Sequence, residues 1–186
     1  MVTFSRAFSC AVLVSTSVLF VTGVGWANPF APSKPLELSA QGGVFFSVPA
    51  WKESQPPRPD VAVMERDERG KGGNDFFLLM LTIEPGPQGA GKIDWNGIRN
   101  NIVNEAKARN ATVALTVGDV FSSAPGFEGR RMKGTLKTKG APLALELVAL
   151  VQKGKLVTVS VVSGKPAATA VKLLDDVAKT AALKAP

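Results

Sequence analysis

The side chains that most often carry chemistry are scarce here: the 186-residue chain has no histidine, no tyrosine and one cysteine, Cys10. Without histidine there is no Ser-His-Asp or Cys-His pair and no His/Cys cluster at zinc spacing. Carboxylates remain as acid–base groups. Glu146 stands out because strand alternation places it among Ala144, Val148 and Leu150. A carboxyl partly buried in such company can be raised in pKa and act as a general acid. A glutamate on a half-exposed strand more commonly faces water or a lysine. A carboxylate-based hydrolase or lyase therefore ranks behind a non-catalytic reading, and no catalytic residue is assigned.

Positive charge is concentrated. Between Phe127 and Lys139 stand Arg130, Arg131, Lys133, Lys137 and Lys139 against Glu128 alone. In a strand, the two-residue period puts Arg131, Lys133, Lys137 and Lys139 on one face. That stripe is a candidate surface for an anionic envelope component or an acidic protein. The competing account is a solvated face whose charges discourage edge-to-edge sheet pairing. No aromatic side chains interleave with these charges to stack bases, so nucleic acid is not expected as a partner. The glycine-rich stretches Gly70–Gly73 and Gly86–Lys92 lack the strand–loop–helix setting of a phosphate loop, and the second contains Pro87 with no Ser or Thr after Lys92. No cofactor or metal is expected. Asn110-Ala111-Thr112 forms a glycosylation sequon, relevant only in a eukaryotic source.

The elements that would position these residues follow from hydrophobic period and turn chemistry. Strands are predicted at Val44–Val48, Val61–Asp67, Asp75–Ile83, Thr112–Phe121, Phe127–Thr138, Leu143–Val151 and Lys155–Val162. A helix is predicted over Asp94–Arg109, capped by Asp94, with Trp95, Ile98, Ile102 and Ala106 along one face. A second follows Pro166, with an apolar stripe through Ala167, Val171, Leu174, Ala178 and Ala181. If Gln152-Lys153-Gly154 make a three-residue loop, Leu147 pairs with Val159, Leu145 with Val161 and Ala149 with Val157, all six on one face. Trp51 and Trp95 read as core anchors. The Pro-rich stretch Lys52–Asp60 reads as a stiff loop. Strands grouped in hairpins with two separated helices point to an α+β fold: an antiparallel sheet with helices packed on it.

The first residues address the chain. Met1–Arg6 carries one positive charge, Ala7–Val24 is apolar, and Gly25-Trp26-Ala27 supplies small residues at −3 and −1. This is the layout of a secretory signal peptide over residues 1–27, cleaved near Ala27, so the protein is expected to be periplasmic or extracellular. The rival reading is an uncleaved membrane anchor over residues 7–24, which Ser9, Ser15, Thr16, Ser17 and Thr22 would make a weak span. Arg6 is the only charged residue of that segment. Removing it takes the net charge from +7 to +6 and discards Cys10 with it, leaving no disulfide. No transmembrane span is expected after signal removal. Residues 28–42 read as an extended linker and 43–186 as one α+β domain.

Phe45-Phe46-Ser47-Val48-Pro49-Ala50-Trp51, the mid-chain helix near Asp94–Arg109, the Gln152-Lys153-Gly154 hairpin and the closing helix together resemble the PsbP-like superfamily, including the DcrB-like secreted bacterial proteins. The resemblance covers about Gly43 to Leu183, with one residue fewer between Pro49 and Trp51 than such proteins often carry. It implies an α/β/α sandwich on an antiparallel sheet and a mostly non-catalytic accessory or docking role, with no family catalytic motif to carry over. The expectation is an exported binding or assembly-accessory protein without cofactor. The alternative is a carrier of a lipid or other apolar ligand, using the face of Ala144, Val148, Leu150, Leu156 and Val162.

Overall fold

Local sequence period decides which segments become strands, and the computed structural model shows how they assemble. It describes residues 28–54, 58–68, 76–87, 93–108, 110–122, 126–137, 140–152 and 154–183. The predicted signal segment, the 70–73 stretch, most of the 86–92 stretch and Lys139 lie outside these. Among the described residues the chain forms β1 (Lys34–Leu38), β2 (Val44–Val48), β3 (Lys52–Glu53), β4 (Val61–Asp67), β5 (Phe76–Pro85), α1 (Trp95–Ala108), β6 (Thr112–Phe121), β7 (Glu128–Lys137), β8 (Leu143–Gln152), β9 (Lys155–Ser163), α2 (Ala168–Ala178) and β10 (Ala182–Leu183). The fold is α+β and mostly sheet. A seven-stranded antiparallel sheet runs β3-β4-β5-β9-β8-β7-β6, and a small sheet runs β1-β2-β10.

The β8–β9 hairpin shows how one residue of register changes a surface. Gln152 pairs with Lys155, not Val151, so two residues separate the strands instead of the expected three. Gly154 has φ 74°, the left-handed conformation such a tight turn requires. The pairs are therefore Leu145 with Val162, Leu147 with Ser160, Val148 with Val159 and Leu150 with Val157. The six residues expected on one face divide between two, because a one-residue slip exchanges the faces of a strand. Leu145, Leu147 and Ala149 pack toward α1, and Val157, Val159 and Val161 pack toward α2. Both faces of this central hairpin are buried.

α1 lies on one side of the sheet. Asp94 Oδ1 accepts a hydrogen bond from the Gly97 N–H (2.9 Å) and starts the helix, as its capping residue type suggests. Ile98, Ile102 and Ala106 are buried against Val113, Leu115, Met132, Leu136 and the facing residues of β8. The helix ends where the Ala111 N–H bonds Ala106 O and the Asn110 N–H bonds Lys107 O. This crossed pair is a Schellman closure, with Asn110 at φ 58° in the left-handed position usually given to glycine. On the other side α2 and the small sheet cover β4, β5, β8 and β9. Leu173, Leu174 and Val177 meet Leu79, Leu81, Val148, Leu150 and Val159 there.

Residues 28–42, expected as an extended linker, hold more structure than their prolines suggested. Pro35 sits in β1, an edge strand, where a missing N–H is tolerated. Trp51 Nε1 donates to Pro29 O (2.6 Å), and Phe30 makes edge-on ring contacts with Trp51 and Phe77 at 5.6 and 5.1 Å. Trp51 is the core anchor expected of it. β3 occupies part of the predicted Pro-rich loop, and Pro166 precedes α2 instead of entering its first turn.

Candidate docking face

β7 lies one strand in from the sheet edge, between β6 and β8. Its pairing fixes which residues share the α2 side: Arg131 opposite Val148, Lys133 between Thr116 and Glu146, Thr135 between Ala114 and Ala144, and Lys137 opposite Thr112. Arg131, Lys133 and Lys137 thus share one face, while Lys139 is outside the described residues. α2 packs on β8 and β9. Beyond it the outer two strands present Thr112, Ala114, Thr116, Lys133, Thr135 and Lys137, all exposed.

The charges of this face are not equivalent. Arg131 turns under α2 and makes a two-pronged ion pair with Asp175: Nη1 to Oδ1, and Nη2 to Oδ2 at 2.8 Å. Its guanidinium also stacks over the Phe121 ring, 4.9 Å from the centroid. The hydrogen bond to Asp175 holds the Arg131 pKa above its ordinary value. Burial opposes this, and the negative charges of Asp175, Asp119 and Glu146 add to it. Arg131 therefore ties sheet to helix and is no longer a free positive charge. Changing Arg131 to Gln is expected to cost about 1–2 kcal/mol, since a charge-assisted pair is lost at a partly exposed site; urea denaturation would read it. Lys133 and Lys137 make no ion pair among the described residues.

Glu146 lies half-buried at the rim of this face. Burial raises its pKa, against the lowering effect of Lys133 and Arg131, with Asp175 raising it further. Its nearest cross-strand neighbour is a lysine, and the nearby Asp175 is held by Arg131, so the two carboxyls do not form an open acid–base pair. A carboxyl whose folded pKa is raised favours folding most in acid, below its unfolded value, and that contribution is lost as pH climbs through the folded value. Glu146→Gln is accordingly expected to leave the fold intact and to gain stability relative to the parent as pH rises above the ordinary carboxylate range. Paired thermal melts would show the gap widening upward in pH.

The face proposed for an apolar ligand is divided by the register. Ala144, Val148 and Leu150 are buried on the α2 side, and Leu156 and Val162 on the α1 side. The slot between α1 and the sheet, lined by Met80, Thr82, Ile102, Leu147 and Thr158, has a cavity of about 20 Å³, room for one water. Thr82 and Thr158 hydroxyls close across it at 2.6 Å. Among the described residues no group of three or more His, Cys, Asp or Glu could hold a metal, and no helix is long and apolar enough to cross a membrane. No family model matches the chain, and no curated protein matches it. Sequence reasoning found the charged face but missed Asp175 and β6 as its neighbours, because both are set by tertiary placement.

Proposed function

We propose that this is an exported binding or assembly-accessory protein, built as a PsbP-like α/β/α sandwich, that docks an anionic envelope component or acidic protein on the outer face of β6 and β7. The observation that carries the reading is the exposed face beside α2, where Lys133 and Lys137 stand among small polar residues with no covering element among the described residues. Exposed lysines flanked by Thr and Ala offer charge without an apolar patch, which suits reversible attachment to an anionic partner. The sandwich reading is supported by α1 on one face of the sheet and α2 on the other.

The test is retention of partners from a cell-envelope extract by the mature chain, Asn28–Pro186, beside a Lys133→Gln, Lys137→Gln double variant. Arg131 is left unchanged, because altering it would also loosen α2. A partner held by the parent and lost by the folded variant supports docking on this face. Equal retention by both, or no specific partner for either, overturns it.

A further inference from the structure

The seven-stranded sheet has two edges, and they are protected differently. β3 is two residues long, charged, and its Lys52 lies 3.5 Å from Glu65. β6 is ten residues long, and its sequence TVALTVGDVF contains no lysine, arginine or proline. Natural edges are usually blunted by short length, lysine, proline or a bulge. Here the lysines are one strand in, on β7. The only irregularity is the register shift between Val117 and Val120, where Arg130 Nη1 donates to Gly118 O (3.4 Å). Among the described residues Thr112–Val117 therefore have no second strand beside them, with Val113 and Leu115 only 4 % and 8 % exposed under α1. Among the described residues β6 pairs with β7 alone.

The direction of its free groups follows from one contact. Ala114 O lies against Gly134 of β7, so the backbone groups of Ala114 face inward. In an antiparallel ladder successive residues alternate, which turns the N–H and C=O of Val113 and Leu115 outward. Beside them is a groove of about 440 Å³, bounded by Arg99, Asn100 and Val103 of α1 and reaching across β6 to Gly134 and Thr135 of β7. Arg99 lines it and, among the described residues, bonds the neighbouring Asn100 side chain (2.7 and 3.2 Å). Val120, 64 % exposed, is at the far end of the same strand.

We propose that an extended acidic peptide segment of a partner protein adds to β6 as an eighth strand. Its backbone bonds Val113 and Leu115, alternate apolar side chains enter the groove beside Val103, and a carboxylate meets Arg99. Strand addition of this kind takes its affinity from main-chain bonds and its selectivity from the flanking pocket. The charge of the occupant rests on the docking reading and on Arg99; the edge itself does not.

The probe is a labelled decapeptide of alternating threonine and valine with two aspartates, beside the same peptide with two lysines. Amide exchange of Val113 and Leu115 in the protein should be fast alone and slow at least about tenfold with the acidic peptide. The lysine peptide should bind about fivefold or more weakly, as should the acidic peptide to Arg99→Glu. Val113→Pro, which removes an outward donor, should abolish protection; if it fails to fold, Arg99→Glu and the parent amides decide alone. Unchanged amides at millimolar peptide, or equal binding of both peptides, would overturn the inference. So would Val113 and Leu115 amides already protected in a particle of twice the mass, since a second copy would then occupy the edge. Slowed amides in the Lys133→Gln, Lys137→Gln variant, with no envelope partner lost, would keep the edge site and remove the lysine face. Envelope partners lost by that variant, with unchanged amides, would do the reverse.

Discussion

Replacing Gly134 with alanine is expected to destabilise the protein by about 3 kcal/mol or more, lowering its melting temperature by roughly 6–12 °C. An alanine Cβ at this position would sit 1.7 Å from Ala114 O, a backbone atom that cannot swing away as a side-chain tip would. Relief requires β6 to move off β7. β6 also carries Val113 and Leu115, against which α1 buries Ile98 and Ile102, so helix and edge strand loosen together. Gly140→Ala is the control, because its Cβ would meet nothing within 4 Å. A Gly134→Ala melt within 1 °C of the parent would show that the β6–β7 approach is wrong.

Leu150→Ala should cost about 2–5 kcal/mol, the range for truncating a fully buried leucine. That is a large share of the stability of a typical domain. The sequence reading put Leu150 on the less protected side of β8. The observed register buries it completely between Gly129 and Val157, under the α2 layer. Thr116→Ala, on the exposed face of β6, should change stability by less than about 0.5 kcal/mol. Guanidinium titrations of the two variants give the comparison, and a small effect at Leu150 would mean a sheet covered on one face only.

The same residue explains what could be read from the sequence and what could not. The bounds of β2, β4 and β6 follow directly from alternation between Pro, Gly and charged stops. α1 followed from Asp94 and the three-and-four spacing of Ile98, Ile102 and Ala106. The β8–β9 register did not follow, because LALELVALVQ is apolar at both parities and period two then carries no information about sides. Only the turn could decide it, and Gly154 fits a two-residue turn as well as a three-residue loop. β3 and β10, two residues each, are too short to show a period, and β1 carries Pro35, which makes it read as part of a linker. For the candidate site, the shared face of Arg131, Lys133 and Lys137 was legible from spacing alone. The partner of Arg131 was not, since Asp175 comes from α2, a separate layer. The open edge of β6 was equally hidden, because which strand ends a sheet is a property of topology and not of the strand.

The small sheet has a consequence for the order in which the molecule can be completed. Val44 and Phe45 of β2 pair with Leu183 and Ala182, and the Ser47 N–H is received by Thr180 Oγ1 at 2.8 Å. The central pair β5–β9 likewise joins Phe77 to Ser163. Contacts of such long sequence separation make for slow acquisition of structure. A chain synthesised only as far as β9 already contains Val157, Val159 and Val161 but not α2, the helix that covers them. Until α2 has been made, that surface is open to chaperones and to other chains. The native layering thus waits for α2, which covers β9, and for β10, which completes the small sheet.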